Sequence, residues 1–363
     1  MYFRKILKNF PVPKYIEMPC VGIDISPLSI RFIEIKNTKN IFTVGSFARE
    51  KLTRVFSIDQ NDEARKEVQS ILKKWKEEHK LHFIEANLPE EKVYLFKAEV
   101  PWGKEEEIRH EIEFTLEENV PIAPSEITFD YKVVGKKKVP EGEPLAEVIV
   151  TAIPTTIVES YITLFEEVGL VPVSFMVEGQ ALSKAIISKE DHNIHFIVNI
   201  GEIRTGIFVV CDGVVRFSSS IALGGHNFTE ALMKQFGLNR EEASKRKKTI
   251  GLSRLPQNEE TFQALMNVAS AFKEEIEKIY LYWLTHEGAQ NITEEKTKKI
   301  VLSGKDALMN GLKEFIQGQL RVETEIGDVW QNIASFDEYI PPISAHEALD
   351  YGVAIGLALP KTR

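Results

Sequence analysis

A mixed α/β fold made of two similar halves, with a compact α+β unit set into the first, is what this 363-residue sequence predicts. Three observations carry it. The chain opens with three strand-like stretches, an amphipathic helix and a further strand, the β-β-β-α-β order of a mixed sheet with a helix packed on it. A strand–turn–strand segment at Val21–Ile35 returns at Ile197–Val210, with Asp24 falling on Asn199, an offset of 175 residues. Between the two copies lies a block that reads strand, helix, strand, strand, helix. A chain of this length is long for one core, so two or more subdomains are expected.

The elements follow in order. Cys20–Ile35 is strand-like, and Ile41–Leu52 continues the pattern. Over Asp62–His79, Ala64, Val68, Ile71, Leu72 and Trp75 share one helical face. "HFIEANL", His82–Leu88, follows as a strand. In the inserted block, Lys92–Pro101 is a strand, Lys104–Pro121 a helix, Ile127–Gly135 and Ala146–Pro154 strands, and Thr155–Gly169 a helix. Lys136–Pro144 is a polar loop, and Gly169 suits a helix C-cap. From His195 strands resume, and Asp212–Gly213 between apolar stretches is a hairpin turn rather than a catalytic site. Asn227–Gly237 and Arg240–Gly251 read as helices, the charges of the second forming a solvated face. Glu259–Gly288 is a long helix or a pair, Lys298–Gly304 a strand, Asp306–Leu320 a helix, and Ala345–Leu359 a closing apolar helix.

Composition narrows the function. The chain is 43% hydrophobic and 27% charged, ordinary for a soluble globular protein. A net charge of −9 argues against a nucleic-acid partner, which asks for a basic face. Cys20 and Cys211 are too few for a disulfide framework or a zinc site, and they fit a reducing cytoplasm. The eight histidines show no metal-binding spacing. No apolar run approaches the roughly 18–20 residues that span a bilayer. Residues 1–19 have basic residues but no apolar signal core. Phe3, Ile6, Leu7 and Phe10 would line one face of a short helix ending before Pro11 and Pro13, with Arg4, Lys5 and Lys8 alongside. That extension either docks on its own domain or stays loose, or else meets a partner or a membrane.

The repeated hairpin raises a chemical question. A turn that grips phosphate points backbone N–H groups and hydroxyls at the oxyanion, and glycine lets it approach closely. "GIDISPLSIRFIEI" has Asp24 and Ser29 but places Ser26 and Pro27 in the turn. Its echo "NIGEIRTGIFVV" keeps Gly201 and Thr205. Two similar halves usually pack face to face, with ligands in the cleft between them.

Taken together the motifs resemble the actin-like ATPase superfamily, and within it the PilM-like type IV pilus assembly proteins and their cell-division relative FtsA. The two hairpins resemble that family's phosphate hairpins. "SSSIALGGHNFTEALMKQFG" resembles the segment with Gly224 and Gly225 that follows the second hairpin, and "AFKEEIEKIYLYW" the helix bordering the adenosine. "IVLSGKDALMNGLKEFI" resembles the adenosine loop, and "YGVAIGLAL" the closing helix. Leu88–Gly135 is similar to the small subdomain of PilM and FtsA. The order holds from Cys20 to Leu359.

The resemblance implies an α/β, actin-like (ribonuclease H-like) architecture: duplicated mixed-sheet domains around a nucleotide cleft, with an α+β insert subdomain. Residues 1–19 would be an extension. The first domain would take 20–88, 170–195 and 345–363, and the insert 89–169. The second domain core would take 196–225 and 299–344, with a helical subdomain at 226–298.

It also implies a nucleotide site of Asp24, Ser26, Ser29, Arg31, Asn199, Gly201, Thr205, Gly224, Gly225, Glu275, Lys278, Ser303, Gly304 and Lys305, for ATP and magnesium, with Asp24 as the metal-organising carboxylate. The chain departs from the family pattern at several of these positions. Ser26 stands for a glycine, Pro27 offers no N–H, and Leu28 replaces a small polar residue. Asn199 stands where an aspartate is typical, and Lys305 where a second glycine is. Glu275 and Lys278 either reach a ribose or base or form a charged helix face. Glu202 and Arg204 are left open as compensations. The expectation is weak or absent ATP binding without catalytic residues, the alternative a working ATPase.

The partner the resemblance implies is the cytoplasmic N-terminal tail of a PilN-like inner-membrane protein, held near the insert, with other pilus-machine components. The protein would sit in the cytoplasm, at the inner face of the membrane through that partner. An FtsA-like division protein is a further alternative, weakened by "LALPKTR", where no amphipathic anchor follows. A sugar kinase of the same fold would need a catalytic carboxylate that Asn199 does not supply. A secretion-system component is a close cousin of the first reading.

Overall fold

The computed structural model describes residues 20–38, 41–59, 62–140, 142–286, 297–333 and 339–360. The expected N-terminal helix around Phe3–Phe10 lies outside them. Along the chain come β1 (Cys20–Ser26), β2 (Ser29–Thr38), β3 (Ile41–Lys51), α1 (Asp62–His79) and β4 (Phe83–Leu88). The insert follows: β5 (Tyr94–Pro101), α2 (Glu105–Asn119), β6 (Ile127–Lys137) and β7 (Leu145–Pro154). Then come α3 (Thr155–Glu166), β8 (Val171–Val177) and α4 (Glu178–Ile186). The second half holds β9 (Ile194–Ile200), β10 (Thr205–Cys211), β11 (Val214–Ile221), α5 (Gly225–Phe236), α6 (Arg240–Thr249) and α7 (Glu259–His286). It continues with β12 (Thr297–Ser303), α8 (Leu312–Leu320) and β13 (Glu323–Ile326), and the chain closes with α9 (Ala345–Ala348) and α10 (Gly352–Ala358).

The duplication is plain in the sheets. The first is ordered β3-β2-β1-β4-β8 and the second β11-β10-β9-β12-β13, the same plan twice. In each, the first three strands are antiparallel and the last two run parallel to the first. The insert is a separate antiparallel sheet, β5-β7-β6, with α2 on one face through Ile108, Ile112 and Leu116. This is the expected mixed α/β architecture.

Between the two large sheets run α4 and α10, whose apolar residues share one core with Ile33 and Ile35 of the first sheet and Ile197, Phe208 and Val301 of the second. Glycine permits this. A Cβ on Gly356 would lie 1.6 Å from the Ala181 carbonyl oxygen, and one on Gly22 would lie 2.0 Å from that of Ala354. Helix α1 buries Ala64, Val68, Leu72 and Trp75 as its period predicts, while Ile71 is half-buried. Helix α3, grouped with the insert by the sequence reading, places Ile157, Tyr161, Leu164 and Phe165 in the core of the first sheet.

Two helices expected to be continuous are broken. Residues 306–320 divide into a 3-10 turn at Lys305–Leu308 and α8, because Gly311 takes φ +78° against the Leu252 carbonyl. The closing helix divides at a 3-10 turn, Leu349–Tyr351. The long segment forms one helix, α7. Strands β8 and β13 and helix α4 had no local prediction. No helix among the described residues is long and apolar enough to cross a membrane.

Candidate functional site

The two repeated hairpins face one another across a small cleft. Its lining combines the β1–β2 turn, the β9–β10 turn, the N-terminus of α4, the loop after β12 and the turn before α10. The sheet register explains the polar group at its centre. Asp24 pairs with Arg31 across β1 and β2, and Arg31 pairs with Arg49 across β2 and β3. Three charged side chains therefore stand in a row on one face. Asp350, from the 3-10 turn before α10, reaches over them.

Arg31 donates to Asp24 Oδ2 at 2.7 Å, to Asp350 Oδ1 at 2.7 Å and to Ser29 Oγ at 2.8 Å. Arg49 meets the other Asp350 oxygen at 2.6 Å. Ser26 turns its hydroxyl onto Asp24 at 3.1 Å. Burial pushes the Asp24 carboxyl up to about 6, against the downward pull of Arg31, with Glu178 adding to the rise. Burial alone would lower the Arg31 guanidinium, but Asp24 and Asp350 hold it above its ordinary value.

At the second hairpin, Asn199 Nδ2 donates to Glu178 Oε1 at 2.8 Å. Arg204 joins Glu178, at 3.2 Å, to Glu91 in the turn that leads into the insert. Next to them Glu90 is buried, accepting from the Ser218 hydroxyl and the Gly179 N–H. Burial raises its carboxyl to about 7, outweighing those two hydrogen bonds.

The N-terminus of α5, where an anion would be expected to sit, is already engaged. The Gly225 and His226 N–H groups donate to the carbonyls of Gly201 and Glu202 at 2.9 and 2.8 Å. Gly224 N–H donates to Asn227 Oδ1. A Cβ on Gly225 would lie 1.9 Å from Asp306 Oδ2, and Asp306 is paired with Lys247 at 2.6 Å. Gly304, at φ +82°, lies flat against Ile200 and Asn199.

The structure thus brings Asp24, Ser26, Ser29, Arg31, Asn199, Gly201, Gly304 and Lys305 to one cleft. Thr205 is fully buried, with its hydroxyl on the Leu223 carbonyl, and does not line it. Gly224, Gly225 and the buried Ser303 lie behind the lining. Glu275 and Lys278 lie on α7 and are not part of the lining either. Sequence reasoning missed Arg49, Glu178, Asp306 and Asp350. Asp350 had a signal, as an acid within the apolar run Ala345–Leu359. Arg49 follows only from the register.

The residues present fit a magnesium nucleotide poorly. The cleft holds about 80 Å³, room for a few waters, where small-molecule sites run to roughly 300–1,000 Å³. Asp24 is committed to a guanidinium, Pro27 has no N–H, and Asn199 brings no charge. Among the described residues no group of three or more acids, histidines or cysteines is placed to hold a metal ion.

A second, larger groove of about 330 Å³ lies between the insert and the first sheet. Its walls are β6, from Thr128 to Lys132, and β8, from Phe175 to Val177. Both are edge strands of their sheets. Thr151 and Ile153 of β7 form the floor with Val158 of α3.

A family model described as type IV pilus assembly protein PilM matches residues 22–362. Among solved structures, one described as a PilM–PilN type IV pilus biogenesis complex shares 19% identity, covering 94% of this chain and 98% of that one, with a TM-score of 0.74. The ethanolamine utilization protein EutJ of Carboxydothermus hydrogenoformans shares 15%, covering 96% and 91%, with a TM-score of 0.55. MreB5 of Spiroplasma citri, bound to ADP, shares 14%, covering 93% and 94%, with a TM-score of 0.53. At these identities the likeness of the structures is one of fold.

Proposed function

The chain belongs to the family of PilM type IV pilus assembly proteins, and from that premise we propose that it is a cytoplasmic scaffold of pilus or related secretion machinery. It captures the N-terminal tail of a PilN-like inner-membrane protein, and that partner holds it at the inner face of the membrane. The observation that carries this reading is the groove between β6 and β8. Two edge strands offer backbone hydrogen bonds to an extended peptide, and the side chains between them offer pockets, the requirements of strand-addition recognition. The solved relative described as a PilM–PilN complex supports the choice of partner.

In this reading the cleft binds ATP weakly or not at all and acts as a structural joint. Asp24 and Asp350 are ion-paired with Arg31 and Arg49, and the donors at the start of α5 are taken. Two measurements test the proposal. A fluorescent peptide copying the cytoplasmic tail of the partner should bind the full chain saturably, and titration calorimetry with Mg-ATP should give binding weaker than low micromolar. Absence of peptide binding removes the scaffold reading; tight, magnesium-dependent ATP binding with turnover establishes the ATPase instead.

A further inference from the structure

Arg31 and Arg49 are like charges directly opposite each other on adjacent strands. Such a pair is unfavourable unless something between them carries negative charge. Two guanidiniums on neighbouring strands also make a fork suited to the oxygens of a phosphate or carboxylate. In this molecule the fork is occupied. The Asp350 carboxylate gives one oxygen to Arg31 at 2.7 Å and the other to Arg49 at 2.6 Å, and its side chain is 7% exposed.

The position of Asp350 is informative. It sits in the turn between α9 and α10, and the residues around it, Leu349, Tyr351 and Val353, are buried apolar ones. A carboxylate here gives nothing to the apolar core between the sheets. It reaches the floor of the cleft, at the β1–β2 hairpin, from the element that closes the chain. We propose that Asp350 is a built-in anion, an intramolecular stand-in for a phosphate group that fills the Arg31–Arg49 fork and shuts the cleft to nucleotide polyphosphates. The inference rests on the reading of the cleft as a weak nucleotide site and supplies a cause for it.

Charge arithmetic favours the assignment. Asp24, Asp350, Arg31 and Arg49 sum to zero in one contiguous cluster. Removing Asp350 leaves one positive charge in excess, presented by a fork that no longer has its carboxylate. Asp24 still holds one nitrogen of Arg31 and Ser29 one hydrogen of the other, so the freed donors are the remaining N–H of that second nitrogen and the facing nitrogen of Arg49. That is an oxyanion site of two charge-assisted donors.

The experiment compares wild type with Asp350→Ala by titration calorimetry, using inorganic pyrophosphate and ATP, each with and without magnesium. The variant should bind both anions at least tenfold more tightly than wild type, and adding Arg49→Ala to it should abolish the increase. Asp350→Asn, which keeps the shape and removes the charge, should show the same direction of change and serves where the alanine variant does not fold. Weak binding to wild type with no increase in a cooperatively melting variant overturns the role of Asp350 and leaves the scaffold reading standing. Tight binding to wild type overturns the weak-cleft reading, and with it the blocking role.

Discussion

Lys247 of α6 and Asp306 of the loop after β12 form an ion pair at 2.6 Å with both side chains almost wholly buried. Lys247 also donates to the Gly225 carbonyl at 2.8 Å, so three separate elements meet on one ammonium. A buried pair of this kind adds little against a well-packed apolar replacement, but breaking it strands a charge. Lys247→Met should therefore cost about 3–5 kcal/mol in urea denaturation. Adding Asp306→Asn should recover at least half of the loss. A double variant no more stable than the single one would show that the pair is not the cause.

Glu90 gives a pH prediction. Burial raises its carboxyl to about 7 from 4.5, while Glu178 adds to the rise and Ser218, the Gly179 N–H and Arg204 oppose it. The folded state thus holds the proton more tightly than the unfolded chain. The favourable contribution is complete below about pH 4.5 and is lost as pH rises through 7. Glu90→Gln removes the charge; its amide oxygen still accepts from the Gly179 N–H, and the Ser218 hydroxyl turns to accept from its NH2. It should be more stable than wild type at pH 8, by up to roughly 3 kcal/mol, and nearly equal to it at pH 5. Denaturation curves at the two pH values check this; equal differences at both would refute it.

The contact between α4 and α10 predicts a steric effect. A Cβ on Gly356 would lie 1.6 Å from a backbone oxygen, which no rotamer change relieves. Gly356→Ala should cost about 3 kcal/mol or more, because helix and helix must part. Gly318 in α8 has nothing within 4 Å of its would-be Cβ, so Gly318→Ala should stabilise by about 0.5–1 kcal/mol. Thermal melts of the two variants should move in opposite directions.

Local chemistry made much of the fold legible. The period of α1 picks out its four buried residues, and Asp212–Gly213 takes φ values of +52° and +67°, which those residue types favour. The hairpin echo anticipates two sheets of identical order. The break at Gly311 was hidden because it depends on the distant Leu252 carbonyl. The candidate site was half legible for the same reason. Asp24, Ser29 and Arg31 lie within one hairpin, whereas Arg49 enters by strand register and Asp350 from 319 residues beyond Arg31. What the departures at Ser26–Pro27 suggested, a turn poor in donors, the geometry extends: terminal guanidinium nitrogens of Arg31 and Arg49 are paired with the protein's own carboxylates.

The groove supplies the last prediction. Thr151 lies on the central strand of the insert sheet, beside Asp130 of β6 across the ladder, and its side chain helps form the groove floor. It is half-buried and takes no part in the cores on either side. An indole there would occupy much of the space between β6 and β8 while leaving the strand pairing, made by backbone, intact. Thr151→Trp should therefore weaken binding of the partner's tail peptide at least tenfold in an anisotropy titration, with the melting temperature within a few degrees of wild type. A substitution in the nucleotide cleft such as Ser26→Ala should leave peptide binding within a factor of two, since the Ser26 hydroxyl bonds to Asp24 and Arg31 in the cleft and does not line the groove. If Thr151→Trp binds the peptide as wild type does, the tail lies elsewhere and the β6–β8 groove is not its site.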